Sequence, residues 1–157
     1  MKKILVGLLF FISIPLIAEE TELNTSDNLN IDFYTKSLKH SKEKAVAEKT
    51  SGLIGINEWV TWEANHFGIK QKLTSKITEF DSPNYFVDEM VSGAFKSFRH
   101  EHLFISVGDK TKMIDKFHYI SPLGILGKIA DVLFLKNYMK NLLLTRNSHL
   151  KIEAEEN

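Results

Sequence analysis

The run Ser121–Glu153, SPLGILGKIADVLFLKNYMKNLLLTRNSHLKIE, decides the fold. Ser121 followed by Pro122 marks a helix start: the hydroxyl caps the first turn, and the ring lacks an N–H that the first turn would leave unpaired anyway. No proline follows. Ile125, Ile129, Val132, Met139, Leu143 and Leu150 recur at helical spacing on one side. Phe134, Leu135, Tyr138 and Leu142 widen that stripe. A helix apolar over so much of its circumference needs enclosure, not a single contact face. The chain before it reads as short alternating strands. The expectation is therefore an α+β domain, a curved antiparallel sheet wrapped around a long C-terminal helix.

The totals narrow the function. With 157 residues the chain fits one domain. Lysine plus arginine number 20 and aspartate plus glutamate 20, so no bulk charge argues for nucleic acid. There is no cysteine, which excludes disulfides, thiolate catalysis and cysteine-bound zinc.

Met1–Glu20, MKKILVGLLFFISIPLIAEE, has a positive start, an apolar run and the small residue Ala18 before two acids. This is the layout of a secretory signal peptide, although Leu16 stands where a small residue is usual. The competing reading is a first strand over Lys3–Ile14, ended by Pro15. Residues 1–18 are thus a signal-like segment or strand one, 19–30 a polar linker, and 31–154 the domain. Cleavage implies export; an uncleaved leader is the one route to a membrane.

Ile31–Ser41 reads as a short helical stretch and Lys44–Thr50 as a strand. Glu58–Phe67 and Lys70–Glu79 alternate about a turn at Gly68–Ile69. Pairing Phe67 with Lys70 puts Val60, Trp62, Ala64 and His66 on one face with Gln71, Leu73, Ser75 and Ile77. The turn Asp81-Ser82-Pro83-Asn84 then sets Glu89 opposite Lys76 outside, and Asp88 inside with Phe86 and Met90. A carboxylate on the dry face hints at a site, because an unpaired buried charge is costly. Lys96–Val107 and Lys110–Ile120 complete the sheet. The turn near Gly93–Ala94 leaves two facings for Lys96–Val107. The preferred one turns Arg99, Glu101, Leu103 and Ile105 inward and gives Asp88 a bidentate partner in Arg99. The other turns Phe98, His100, His102 and Phe104 inward, with Asp115 beside them.

From about Asp32 the chain resembles the SRPBCC superfamily, the START-like and polyketide cyclase-like helix-grip proteins. SGLIGINEWVTWEANHFGI, QKLTSKITEF, FVDEMVSGAFKSFRHEHLF, MIDKFHYISPLGILGKIAD and LFLKNYMKNLL carry the likeness. GAFKSFRHEHLF with PLGILGKIAD is similar to a bacterial branch often labelled cell division protein. The resemblance implies a seven-stranded antiparallel sheet around the last helix with an apolar cavity between them, and a cytoplasmic location. It also implies an opening strand, which here falls in the signal-like segment.

The expected function is binding of a hydrophobic or amphipathic small molecule or lipid. Trp62, His66, Gln71, Phe86, Asp88, Met90 and Arg99 are the expected ligand-binding residues. One alternative is a cyclase or dehydratase using a His–Asp pair drawn from His100, His102 and Asp115. Another is an envelope interaction module that displays Trp59 and Phe67 on the convex face. His100-x-His102 begins a metal site only with a third well-placed ligand, so no metal and no cofactor is assigned. No phosphate loop, HExxH, GxSxG or basic–aromatic stripe for nucleic acid occurs.

Overall fold

The computed structural model describes the backbone of residues 12–21, and residues 29–38, 43–108 and 110–155. Seven antiparallel strands run β1 (Ile12–Thr21), β2 (Lys44–Glu48), β3 (Trp59–His66), β4 (Ile69–Asp81), β5 (Tyr85–Ser92), β6 (Ser97–Val107) and β7 (Lys110–Ile120). Their spatial order is β1-β7-β6-β5-β4-β3-β2. Helix α1 (Ile31–Ser37) is started by Asn30, whose side-chain oxygen accepts from the backbone N–H groups of Asp32 and Phe33. The terminal helix has two parts, α2 (Ile125–Ala130) and α3 (Lys136–Glu155), joined by a wide π turn over Asp131–Leu135. This is the helix-grip fold: the sheet curls around α3.

Strand one differs from the expectation. It lies at Ile12–Thr21, passing through Pro15 instead of ending there, and pairs with β7 from Ile12↔Tyr119 to Thr21↔Thr111. Proline is tolerated because β1 is an edge strand of the sheet. Most of the signal-like leader, residues 1–11, lies outside the described residues, as do 22–28 of the proposed linker.

The β3–β4 turn also differs. His66 pairs with Ile69, so Phe67 and Gly68 form the turn, both with positive φ, 54° and 75°. Two positive φ values match the twist of a tight hairpin, and glycine takes the second at little cost. The register moves from Phe67↔Lys70 to His66↔Ile69, a slide that preserves which face each side chain takes. Val60, Trp62, Ala64 and His66 still share the concave face with Gln71, Leu73, Ser75 and Ile77, and all eight border one cavity. On β4 and β5 the expected pairs Lys76↔Glu89 and Ile77↔Asp88 are present.

The preferred facing of β6 is overturned. Phe98, His100, His102 and Phe104 are buried at 6, 3, 3 and 7 % exposure, and Asp88 pairs with His100 across the sheet. Arg99 lies outside, bonded to Glu79 at 2.9 Å, Glu89 at 3.1 Å and Glu101 at 3.2 Å. The energetic reason is plain. Burying Arg99 and Glu101 would strip two charges of water and expose two phenylalanines, whereas the wet face already offers Arg99 three carboxylates. Arg99 is therefore not a partner of Asp88, and it does not border the cavity.

The apolar stripe of the last helix is gripped only in its second half. Met139, Leu143 and Leu150 are buried, whereas Ile125, Ile129 and Val132 are 76, 50 and 84 % exposed. The π turn accounts for this, since a wider turn resets the helical phase between the two halves. Asp131 within it is buried and accepts from the Tyr119 and Ser121 hydroxyls, tying the helix start to the end of β7. Gly127 makes the close approach possible: a Cβ there would collide with the Pro122 carbonyl.

Candidate functional site

The concave face and α3 enclose a cavity of about 580 Å³. Its walls are mostly apolar, with Val60, Trp62, Ile77, Phe86, Phe98 and Leu143 among them. Sheet alternation supplies one wall, because every second residue of β3 to β6 points inward. Helical spacing supplies the other, through Met139, Leu142, Leu143 and Arg146.

One part of the wall is polar. His100 and His102 are next-but-one neighbours on β6, so both rings project inward side by side, with centroids 3.9 Å apart. Asp88 from β5 flanks them on one side, with Oδ1 3.1 Å from His102 Nε2 and 3.6 Å from His100 Nδ1. Asp115 from β7 flanks the other, with Oδ1 2.9 Å from His102 Nδ1 and 3.4 Å from His100 Nε2. The 2.9 Å contact is short but poorly directed: neither His102 Nδ1 nor Asp115 Oδ1 makes an aligned hydrogen bond. The other Asp115 oxygen is well served. It accepts from Asn147 Nδ2 at 2.6 Å and from Arg146 Nη2 at 3.0 Å, both on α3. Arg146 also lies over the Tyr34 ring, 5.6 Å from its centroid, and Phe86 stacks on His102 at 4.2 Å.

The charges divide the two histidines. Burial depresses His100, the neighbouring His102 adds to that, and its pKa falls to about 4. Burial opposes the charge on His102 as well, but the Asp115 carboxylate beside it and the Asp88 bond win, and its pKa rises. Burial works against ionisation of Asp115, yet His102 and Arg146 hold it well below the usual carboxylate range. Asp88 is likewise held low, against burial, chiefly by its bond to His102. Burial raises Glu43, and Arg146 only partly offsets it. The cluster is a neutral imidazole beside a more basic one, between two carboxylates, of which Asp115 is bonded to the Arg146 guanidinium and Asp88 to His102.

The sign for stability follows from His100. Between pH 6.5 and about 4 the unfolded chain binds a proton that the folded chain refuses, so acidification weakens the fold. His102 acts oppositely: its contribution is complete below its unfolded pKa and fades as pH rises through its raised folded value. We expect urea unfolding to show a loss from pH 6.5 to about pH 4.5 that is larger in the wild type than in His100→Gln by about 2 kcal/mol. Equal losses in the two proteins would rule out a neutral, proton-refusing His100.

Of the residues expected at the site, Trp62, His66, Gln71, Phe86 and Asp88 border the cavity, as do His100 and His102. Asp115 stands behind them, fully buried. His66 Nδ1 lies 2.7 Å from the Tyr138 hydroxyl at the cavity mouth. Met90 is an exception: it packs against the Phe98 group and is not part of the cavity wall. Phe67 is exposed at the β3–β4 turn, its ring 4.4 Å from that of Tyr138, so it belongs to the mouth rather than to a convex patch with Trp59. Sequence reasoning missed Arg146, Asn147, Tyr34 and Glu43. A signal existed for two of them: Asn147 interrupts the buried stripe Met139, Leu143, Leu150 at helical spacing, with Arg146 beside it.

Asp88, His100 and His102 bring three ligand-type atoms within 4.8 Å of one another. By donor type they suit a divalent ion. Arg146 opposes one, since Nη2 sits 3.5 Å from His100 Nε2 and fixes a positive charge beside the set.

No family model matches the chain. No curated protein matches it either. Solved structures match over nearly the whole length. TTHA0849 from Thermus thermophilus aligns with a TM-score of 0.70 at 15 % identity, over 92 % of this chain and 98 % of its own. Ara h 8.0201 aligns at 0.67 and 9 % identity, over 94 % and 100 %. Major latex-like protein 151 from Panax ginseng aligns at 0.60 and 12 % identity, over 94 % and 99 %. At these identities the likeness is one of fold: this chain shares the helix-grip architecture of those proteins.

Proposed function

We propose that the protein binds a hydrophobic or amphipathic small molecule in the cavity between sheet and helix. The observation that carries this reading is the cavity itself, apolar over most of its wall and polar at one cluster. The apolar body of the ligand packs among Trp62, Phe86, Phe98 and Leu143. Its polar end meets His100, His102, Asp88 and Arg146, with His66 and Gln71 nearer the mouth. Asp88 and Asp115 already face Arg146 and a His102 whose charge they favour, so a neutral hydroxyl, carbonyl or amide suits the cluster better than a free charge. The SRPBCC resemblance of the sequence supports the same reading.

Thermal melting with fatty acids, isoprenoid alcohols, sterols and aromatic polyketides tests it. A true ligand at about 100 times its Kd adds roughly 2.7 kcal/mol, a rise of roughly 5–10 °C in a domain of this size. Ala64→Phe, which places a ring in the cavity, should fold and lose the shift. A flat panel, or equal shifts in that variant, would remove the basis for this function.

The His102–Asp88 bond at 3.1 Å favours a second reading, proton transfer on the bound molecule by a histidine set against a carboxylate. In that case His100→Gln and His102→Gln each abolish turnover of a cyclase- or dehydratase-type substrate while melting normally. Unfolding in place of inactivity would make the pair structural.

A further inference from the structure

The start of the terminal helix presents an apolar surface that no other part of the described protein covers. Leu123, Ile125, Leu126, Ile129, Val132 and Leu133 are 78, 76, 68, 50, 84 and 71 % exposed. Scattered exposed leucines are ordinary, but six large apolar side chains within eleven consecutive residues are not.

Three observations say what meets this face. The first is charge. Between Phe117 and Ile152 the sequence has one acid, Asp131, against Lys128, Lys136, Lys140, Arg146 and Lys151. That acid is buried and bonded to Tyr119 and Ser121, whereas Lys128, Lys136 and Lys140 are exposed. Lys128 precedes Val132 by about one turn and Lys136 follows it by about one turn. The second is continuity with the cavity. Phe134, next to Leu133, is half-exposed and borders the cavity, as does Pro122, next to Leu123. The third is where the first strand begins. Ile12 pairs with Tyr119, so β1 begins beside the end of β7 that feeds the exposed helix, and the sequence ahead of Ile12, MKKILVGLLFF, carries two lysines and an apolar run.

We infer that the exposed face of Leu123–Leu133 is the surface by which the protein rests on an anionic lipid bilayer, with the cavity mouth turned toward the lipid. Apolar side chains enter the headgroup boundary and the lysines engage anionic headgroups. The contact is peripheral, since no helix among the described residues is long and apolar enough to cross a membrane. This inference stands on exposure and charge and does not depend on what the cavity holds; vesicle binding and ligand-induced melting shifts fail independently.

The test is flotation of the full chain with phosphatidylcholine vesicles, with and without phosphatidylglycerol. The expected result is binding that requires the anionic lipid and weakens with salt. Val132→Glu with Leu133→Glu, neither of which borders the cavity, should weaken it about tenfold or more without lowering the melting temperature. Lys136→Glu with Lys140→Glu provides an independent arm and should abolish the preference for anionic vesicles. Undiminished binding in both double variants would place the contact on the leader alone and overturn the inference. So would absence of vesicle binding, with or without a concentration-dependent dimer that the glutamate variants dissolve.

Discussion

Arg146→Met should cost about 3–5 kcal/mol of folding stability, because it leaves a fully buried carboxylate without its compensating charge. Asp115 is 0 % exposed and its Oδ2 receives Arg146 Nη2 at 3.0 Å. The remaining partners are Asn147, His102 and His100, and the His102 contact is poorly directed while His100 stands 3.4 Å away. Methionine fills much of the volume of arginine, so the loss reports charge rather than a cavity. The matched test is Asp115→Asn in the same background. With the carboxylate gone there is nothing left to neutralise, and the double variant should regain more than half of the loss. Urea unfolding of the four proteins in the cycle measures this. A cost below about 1 kcal/mol for Arg146→Met, or no recovery in the double variant, would mean that the pair is not what holds α3 to the sheet.

The same cluster shows which parts of the protein were legible in its sequence. Alternation across β3 and β4, together with a turn built on Gly68, fixed the inward set even though the pairing slid from Phe67↔Lys70 to His66↔Ile69. A slide that conserves parity leaves every side chain on its face. The Asp81–Asn84 turn predicts Phe80↔Tyr85, whereas the strands pair Phe80↔Phe86 and Asp81↔Tyr85, and a bulge between Ile77 and Glu79 restores the expected Lys76↔Glu89. The facing of β6 was harder, because it hangs on one extra residue in the loop between Ser92 and Ser97. Pairing Asp88 with Arg99 was locally attractive, but Glu79 and Glu89 compete for that guanidinium from the outer face. The decisive quantity is the whole strand: two phenylalanines inward outweigh one ion pair. The apolar stripe of the last helix read as continuous because a π turn has no simple sequence signature. Arg146 and Asn147 were hidden by the same stripe, since a search for apolar spacing passes over the polar residues it encloses.

A chain beginning at Glu19 should fail to fold as a stable monomer. It would keep the pairs Glu20↔Lys112 and Thr21↔Thr111 and lose those from Ile12↔Tyr119 to Ile17↔Ile114. Roughly five ladder hydrogen bonds at about 1 kcal/mol each are then missing. Against a typical total of about 5–15 kcal/mol, that is a third or more of what holds a small domain together. Contact between β1 and α3 goes with the strand, so the helix is gripped from fewer sides. The new edge is worse than a gap. β7 would present unpaired backbone groups over most of its length, a template for pairing with another chain. The expected observation is a protein of residues 19–157 that elutes as oligomers or aggregates and melts without a cooperative transition. This bears directly on the signal-like leader, because cleavage after Ala18 severs β1 within its own span. Intact-mass measurement on the protein from its native cells joins the two questions. A mass that includes Ile12 is expected if the strand is part of the working fold. A mass beginning at Glu19, in a monomer as stable as the full chain, would show that the sheet closes without its first strand and that β7 is protected in some other way.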